Sequence, residues 1–204
     1  MTPTVVLAAG RSSRFGVANK LTARLGERPV IAVTLANVLA ATQGPVILVT
    51  GYRARALRRA LARYGVRSSR LKIVFVRHGH SSGLARSLAH GITAAPNISS
   101  AVQIHLADTP GIRRRDVHSL RRAMHAGAEV ARPGHGGQPG HPVRLRRCLI
   151  DSANTIERFG LRPTMAAVAP GRKTRLDARP HSVRDVDRRQ MIRGLICDSA
   201  RRRR

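Results

Sequence analysis

Apolar and polar positions alternate in blocks through the first two thirds of the chain. Thr4-Val5-Val6-Leu7-Ala8 is a short apolar run ending before Gly10, which predicts a buried strand leading into a loop. Ile31, Leu35, Val38 and Leu39 then fall at i, i+4, i+7 and i+8, one face of a helix. Val46-Ile47-Leu48-Val49 is apolar without a break, as expected of a strand covered on both faces. Leu57, Leu61 and Tyr64 mark a second helix, Ile73 to Val76 a third strand, and Leu84, Leu88 and Ile92 a third helix. Val102-Gln103-Ile104-His105-Leu106 predicts the fourth strand, and Val117, Leu120 and Met124 the helix after it. Strands separated by helices need right-handed crossovers and build a parallel sheet. The expected fold is therefore α/β, a doubly wound and mostly parallel sheet with strand order 3-2-1-4 in its first half.

Beyond Pro133 the pattern weakens. Gly134 to Pro142 reads as a Gly/His/Pro loop, Ile150 to Phe159 as a helix, Met165 to Val168 as a strand and Val186 to Ile196 as a last helix. Arg201 to Arg204 reads as a frayed tail. No repeat and no long linker divides the chain, so residues 1–198 are expected to form one domain and 199–204 a basic extension.

Composition narrows the function. The 204 residues are 42% hydrophobic, enough for a core, while Lys+Arg 38 against Asp+Glu 10 leaves a formal charge of +28. Only Lys20, Lys72 and Lys173 of those cations are lysine. Such a charge fits a nucleic-acid partner and equally a solvated arginine-rich surface. Aromatics at 2% and the absence of Trp argue against stacking platforms for single strands. Cys148 and Cys197 make neither a disulfide framework nor a zinc motif. Met1 to Gly10 lacks a basic segment ahead of its apolar run, so it does not read as a signal peptide. Val30 to Ala41 is shorter than the roughly 20 residues that span a bilayer. The expectation is a cytoplasmic protein without a membrane partner.

Three segments carry candidate chemistry. The first strand ends in Leu7-Ala8-Ala9-Gly10-Arg11-Ser12-Ser13-Arg14-Phe15-Gly16, with Lys20 four residues further on. A small-residue turn at that place can aim backbone amides at phosphate oxygens, and Arg14 and Lys20 can offset a triphosphate's charge. The loop is neither a Walker A sequence nor a G-x-G-x-x-G fingerprint, and a plain strand-to-helix turn is the competing reading. Asp108, in Leu106-Ala107-Asp108-Thr109-Pro110, follows the fourth strand, beside the first at the topological switch point. A carboxylate there can hold Mg²⁺, or simply cap a helix. Asp185-Val186-Asp187 adds two carboxylates that strand alternation would put on one face, with salt bridges to arginine as the alternative. His78-Gly79-His80, His135 and His141 lie in expected loops without a four-ligand metal set. Arg113-Arg114-Arg115 opens a helix against its dipole and reads as an exposed face.

The first loop resembles the signature loop of the MobA-like nucleotidyltransferases, L-A-A/G-G-x-S-x-R-M-G…K, and within that group it is most similar to the molybdenum cofactor cytidylyltransferases. Gly26 to Val30, Gly83-Leu84-Ala85-Arg86-Ser87-Leu88, Leu106 to Pro110, Gly140-His141-Pro142-Val143 and Asp185 to Asp187 resemble further family segments in the same order. Phe15 stands for the usual Met, no G-D-x-G element follows, and Arg188-Arg189-Gln190-Met191 replaces T-P-E-D after Asp187. The last two of these departures fall on the acceptor side.

The resemblance implies a Rossmann-like fold of the nucleotide-diphospho-sugar transferase type. Residues 1–110 would form the nucleotide half and 111–198 the acceptor half. It implies that an acceptor phosphate attacks the α-phosphorus of a nucleoside triphosphate, CTP by the closest likeness, and releases pyrophosphate. Leu7, Ala8, Ala9, Gly10, Ser12, Ser13, Arg14, Lys20, Gly83 and Ser87 would bind the nucleotide, with Arg14 and Lys20 catalytic. Asp108 and Asp187 would hold Mg²⁺, and His141 would lie by the acceptor, a phosphorylated pterin (molybdopterin). A molybdoenzyme or its maturation chaperone is the implied protein partner. The competing expectations are a GTP-dependent or sugar-phosphate enzyme, and a non-catalytic relative binding nucleic acid or a maturation partner.

Overall fold

The computed structural model describes residues 1–10, 19–77, 83–150, 156–158, 160–180 and 185–186. Five consecutively buried residues form β1 (Thr4–Ala8), which pairs in parallel with β4 (Val46–Thr50) on one side and β6 (Ala101–Leu106) on the other. β5 (Leu71–Phe75) extends the sheet beyond β4 in parallel. The order β5-β4-β1-β6 is the 3-2-1-4 arrangement expected from the apolar blocks. Between β1 and β4 lie a separate ribbon, β2 (Arg24–Leu25) and β3 (Arg28–Pro29), and α1 (Val30–Ala41). α2 (Ala54–Arg63), α3 (Leu84–Ala94) and α4 (Arg114–His125) follow the later strands.

Alternation along the central strands explains why they carry no polar face. Val6, Ala8 and Leu48 pack toward Ile31, Leu35 and Val38 of α1 and Leu57 and Leu61 of α2. Val5, Leu7, Ile47 and Val49 point the other way, toward Leu88, Ala89 and Ile92 of α3. Successive residues of one strand thus feed two cores. β5 meets the two cores only through the partly buried Leu71 and Val74, and its Ile73 and Phe75 are exposed. At the end of α1 the Arg70 guanidinium donates to the carbonyls of Leu39, Thr42 and Gly44, groups that a helix end leaves unpaired.

The second half departs from the sequence reading. β9 (Val143–Arg146) runs antiparallel to β6, β7 (Val130–His135) antiparallel to β9, and β10 (Lys173–Asp177) parallel to β7. The expected Gly134–Pro142 loop is largely a hairpin, because β7 continues through His135 and pairs with β8 (Gln138–Pro139). Gly136 and Gly137, at φ 54° and 77°, make its two-residue turn, a conformation that side-chain-bearing residues resist. The expected strand at Met165–Val168 is instead mostly helix, α5 (Arg162–Ala167). A four-residue apolar run cannot by itself distinguish strand from helix, and Pro163 in the first turn with two alanines favours helix.

Of the helix expected at 150–159, Ile150 closes a 3-10 turn, residues 156–158 are helical and the others lie outside the described residues. Val186 is not helical, and the remainder of the expected last helix lies outside the described residues, as does the 199–204 extension. His78 and His80 lie outside them too, and Cys148 is a free, exposed thiol. Among the described residues no helix is long and apolar enough to cross a membrane.

Candidate active site

The switch point between β1 and β6 is built mainly from backbone. Leu7, Ala8 and Ala9 are buried, so their side chains belong to the core and only their main chain faces the end of the sheet, while Gly10 emerges exposed. The Ala107 amide donates to the Leu7 carbonyl at 3.0 Å, tying the turn after β6 to the end of β1. Ser12, Ser13 and Arg14 lie outside the described residues.

Lys20 begins a 3-10 turn (Lys20–Thr22) preceded by Asn19, whose Oδ1 accepts from the Leu21 amide at 2.9 Å. That cap fixes where the lysine leaves the backbone. Its Nζ forms an ion pair with Asp108 Oδ2, and both side chains are largely shielded, at 19% and 12% exposure. The two residues singled out for phosphate and for metal are thus brought into direct contact with each other.

Asp108 sits on a turn clamped from three sides. Thr34 Oγ1 of α1 donates to the Ala107 carbonyl at 2.8 Å, and Asn37 Nδ2 donates to the Pro110 carbonyl at 2.7 Å. The Val186 amide donates to the Asp108 carbonyl at 2.9 Å, which brings the Asp185-Val186 segment to the site. Asp108 does not cap a helix, because α4 begins at Arg114, where Asp116 Oδ2 accepts from the Arg113 amide. Its second oxygen, Oδ1, is buried and has no hydrogen-bond partner among the described residues. A buried carboxylate oxygen left without a donor is what a hard cation or a cation-bound phosphate would complete, so the residue fits a magnesium ligand. Among the described residues no three His, Cys, Asp or Glu side chains cluster as metal ligands. Asp185 and Val186 lie in no strand, and Asp187 lies outside the described residues.

A cavity of about 450 Å³ opens beside this turn, with Thr109, His135, His141 and Asp185 among its lining residues. His141 thus lines this cavity and lies near enough to Asp108 for the carboxylate to act on its ring. The guanidinium of Arg132 donates twice to the Gly140 carbonyl, at 3.1 and 3.2 Å, and so steadies the turn that presents His141. Burial, followed by the charge of Arg132, pushes the His141 pKa down to about 4, opposed by the Ile104 carbonyl and Asp108. Burial and the Arg175 charge likewise lower the Arg132 pKa. Gly83 precedes α3 as an exposed residue, and Ser87 is buried within that helix.

Sequence reasoning overlooked His105, which is fully buried on β6. Its Nε2 lies 3.0 Å from the Thr109 carbonyl, so that nitrogen carries the proton, and Nδ1 has no partner. Burial above all, and next the nearby His141, lowers its pKa to about 3. The available signal was a polar ring, with Gln103 two residues before it, inside a largely apolar strand, positions that must be satisfied from within. Thr34 and Asn37, the polar residues of an otherwise apolar helix, were legible by the same logic.

Residues 4–172 match the MobA-like NTP transferase domain family, and the chain belongs to that family. It is by class a nucleotidyltransferase, with a nucleoside triphosphate as substrate. The fold is shared with the Rv0371c protein of Mycobacterium tuberculosis H37Rv, at 23% identity, TM-score 0.77 and 96% coverage of each chain. A nucleotidyl transferase from Methanothermobacter aligns at 21% identity and TM-score 0.75 over 98% of each chain. A CMP:2-keto-3-deoxy-manno-octonic acid synthetase complexed with CTP aligns at 17% identity and TM-score 0.66, over 99% of this chain and 100% of that one. No curated protein matches significantly in sequence.

Proposed function

We propose that the chain transfers CMP from CTP to a phosphorylated pterin of the molybdopterin type and releases pyrophosphate. The observation that carries the reading is the shielded Lys20–Asp108 pair at the β1/β6 switch point, beside a cavity holding His141. In the reaction an acceptor phosphate oxygen forms a bond to the α-phosphorus. The bond from that phosphorus to the bridging oxygen breaks, and its electrons leave with pyrophosphate. Gly10, Ser12 and Ser13 offer backbone amides to the phosphates, and Arg14 and Lys20 offset charge on the transferring and leaving groups. Leu7, Ala8 and Ala9 position that loop. Gly83 and Ser87 lie toward the nucleoside, and His141 meets the acceptor.

Asp108 and Asp187 are the residues that would hold Mg²⁺, which supplies charge neutralisation on the triphosphate. No covalent enzyme intermediate is needed, so catalysis rests on positioning and electrostatics. The cytoplasm, where nucleoside triphosphates are abundant, suits this chemistry, and a molybdoenzyme or its chaperone would receive the product. The signature-loop resemblance and the family membership support the nucleotide assignment. The choice of CTP and of the pterin rests on the resemblance alone.

Pyrophosphate release, screened over four nucleoside triphosphates with Mg²⁺ and supplied molybdopterin, tests the proposal. CTP-dependent release that falls at least a hundredfold in Lys20→Met and in Asp108→Asn is expected. Release with GTP instead overturns the cytidylyl assignment, and release only with a sugar phosphate overturns the pterin. No release under any combination overturns the transferase reading in favour of a non-catalytic binder.

A further inference from the structure

A second cavity lies apart from the one beside Asp108. It has a volume of about 1010 Å³ and lies where β1 and β6 begin, lined by Thr2, Thr4, Ala101 and Gln103, the opposite end of the sheet from Gly10 and Asp108. Two of its walls are basic by construction. Arg114, His118, Arg121 and His125 recur on α4 at i, i+4, i+7 and i+11, a single helical face. Arg144 and Arg146 are alternate residues of β9 and so share one side of that strand. Among the described residues no acidic side chain lines the cavity. Arg70 also reaches it, but its guanidinium is committed to the end of α1.

The walls hold polar atoms that have no partner among the described residues. Arg144 is 8% exposed, donates from Nη2 to Thr2 Oγ1, and has no partner for its buried Nε. The buried Nε of Arg146 and Oε1 of Gln103 also lack partners. Burial, followed by the charge of Arg121, lowers the Arg144 pKa, so the two cations act on each other across the cavity's walls. Folding guanidinium groups together without a counter-charge is costly.

We propose that this cavity is a binding site for a small, multiply charged phosphate anion: pyrophosphate, or the polyphosphate tail of a nucleotide. Guanidinium forks match phosphate oxygens in pairs, and one polyanion can bridge the α4 and β9 walls at once. The volume is that of a small-molecule site, and among the described residues no Phe, Tyr or Trp lines it as a platform for a nucleic-acid strand. The site does not depend on the transferase reading, since it shares no residue with the Lys20–Asp108 end.

Titration calorimetry of the intact protein with sodium pyrophosphate, in EDTA so that metal-dependent binding is silent, tests the site. Lys20→Met is expected to retain this binding event, whatever binding it loses at the Asp108 end. Arg121→Gln should weaken binding about tenfold, and Arg114→Gln/Arg121→Gln about a hundredfold; both substitutions are on exposed positions. Displacement by CTP but not by cytidine would assign the source to nucleotide tails, and no displacement by CTP to free pyrophosphate. Equal binding by wild type and the double variant, or loss of all binding in Lys20→Met, overturns the proposal. Binding of duplex DNA with no binding of pyrophosphate overturns it as well.

Discussion

Lowering the pH from 7.5 to 5 should destabilise this protein through His105 and His141, whose pKa values fall from 6.5 in the free side chain to about 3 and about 4 in the fold. The sign follows from which state takes the proton. Above pH 6.5 both rings are neutral whether the chain is folded or not, and they contribute nothing to a pH dependence. Below 6.5 the unfolded chain protonates them while the folded chain does not, so stability drains away as pH falls, until the folded pKa values are reached. Each pH unit in that window costs about 1.4 kcal/mol per ring, or about 2 kcal/mol each at pH 5. His105 is sealed from water and carries its full share, whereas His141 is half-buried and carries less. The pair together should cost about 3–4 kcal/mol, a drop in Tm on the order of 10 °C for a chain of this size. Urea denaturation at pH 7.5 and pH 5 measures it, with His105→Gln as the non-titrating control whose difference should shrink by about 2 kcal/mol. Equal stability of wild type at both pH values, or the same pH dependence in His105→Gln, would refute the reasoning.

Gly91→Ala should destabilise despite placing a better helix former in α3. The new Cβ would meet Val49 Cγ2 at 2.8 Å and Val5 Cγ1 closer still, and those stiff β-branched chains cannot yield. Overpacking of about 1–3 kcal/mol should therefore exceed the gain of about 1 kcal/mol in helix propensity, and a higher urea midpoint would sink the argument. Thr34→Val keeps the volume but removes the donor to the Ala107 carbonyl, leaving a buried acceptor unpaired at about 1–3 kcal/mol. Because that bond holds the Asp108 turn, pyrophosphate release should fall with stability, and an unchanged midpoint would count against the clamp.

What was legible in the sequence followed burial. The order β5-β4-β1-β6 could be read because strands covered on both faces must be continuously apolar, and helices between them leave few topologies. The second half could not be read the same way. Lys173-Thr174-Arg175-Leu176-Asp177 has no apolar run, since β10 is held by backbone pairing to β7 and its alternate residues are exposed. Val143-Arg144-Leu145-Arg146 did carry a period-two pattern, yet the abundance of arginine made it easy to pass over. Lys20 and Asp108 were both named from the sequence. Their mutual ion pair was not, because it depends on where a turn aims one side chain. His105 was hidden for a related reason: its partner, Thr109, lies on the turn beyond the strand, and its lowered pKa depends on His141, distant in sequence.

The bond from the Val186 amide to the Asp108 carbonyl bears on how the protein is made. Synthesis delivers β1, Lys20 and the Asp108 turn well before residue 186, and domains assemble from the amino-terminal side as they emerge. The Lys20–Asp108 end of the sheet can thus gather early, while that carbonyl waits on water until Val186 arrives. A chain cut off ahead of Val186 would retain the parallel sheet yet lack the latch on its central carboxylate turn. Premature termination there should yield folded, inactive protein rather than aggregate.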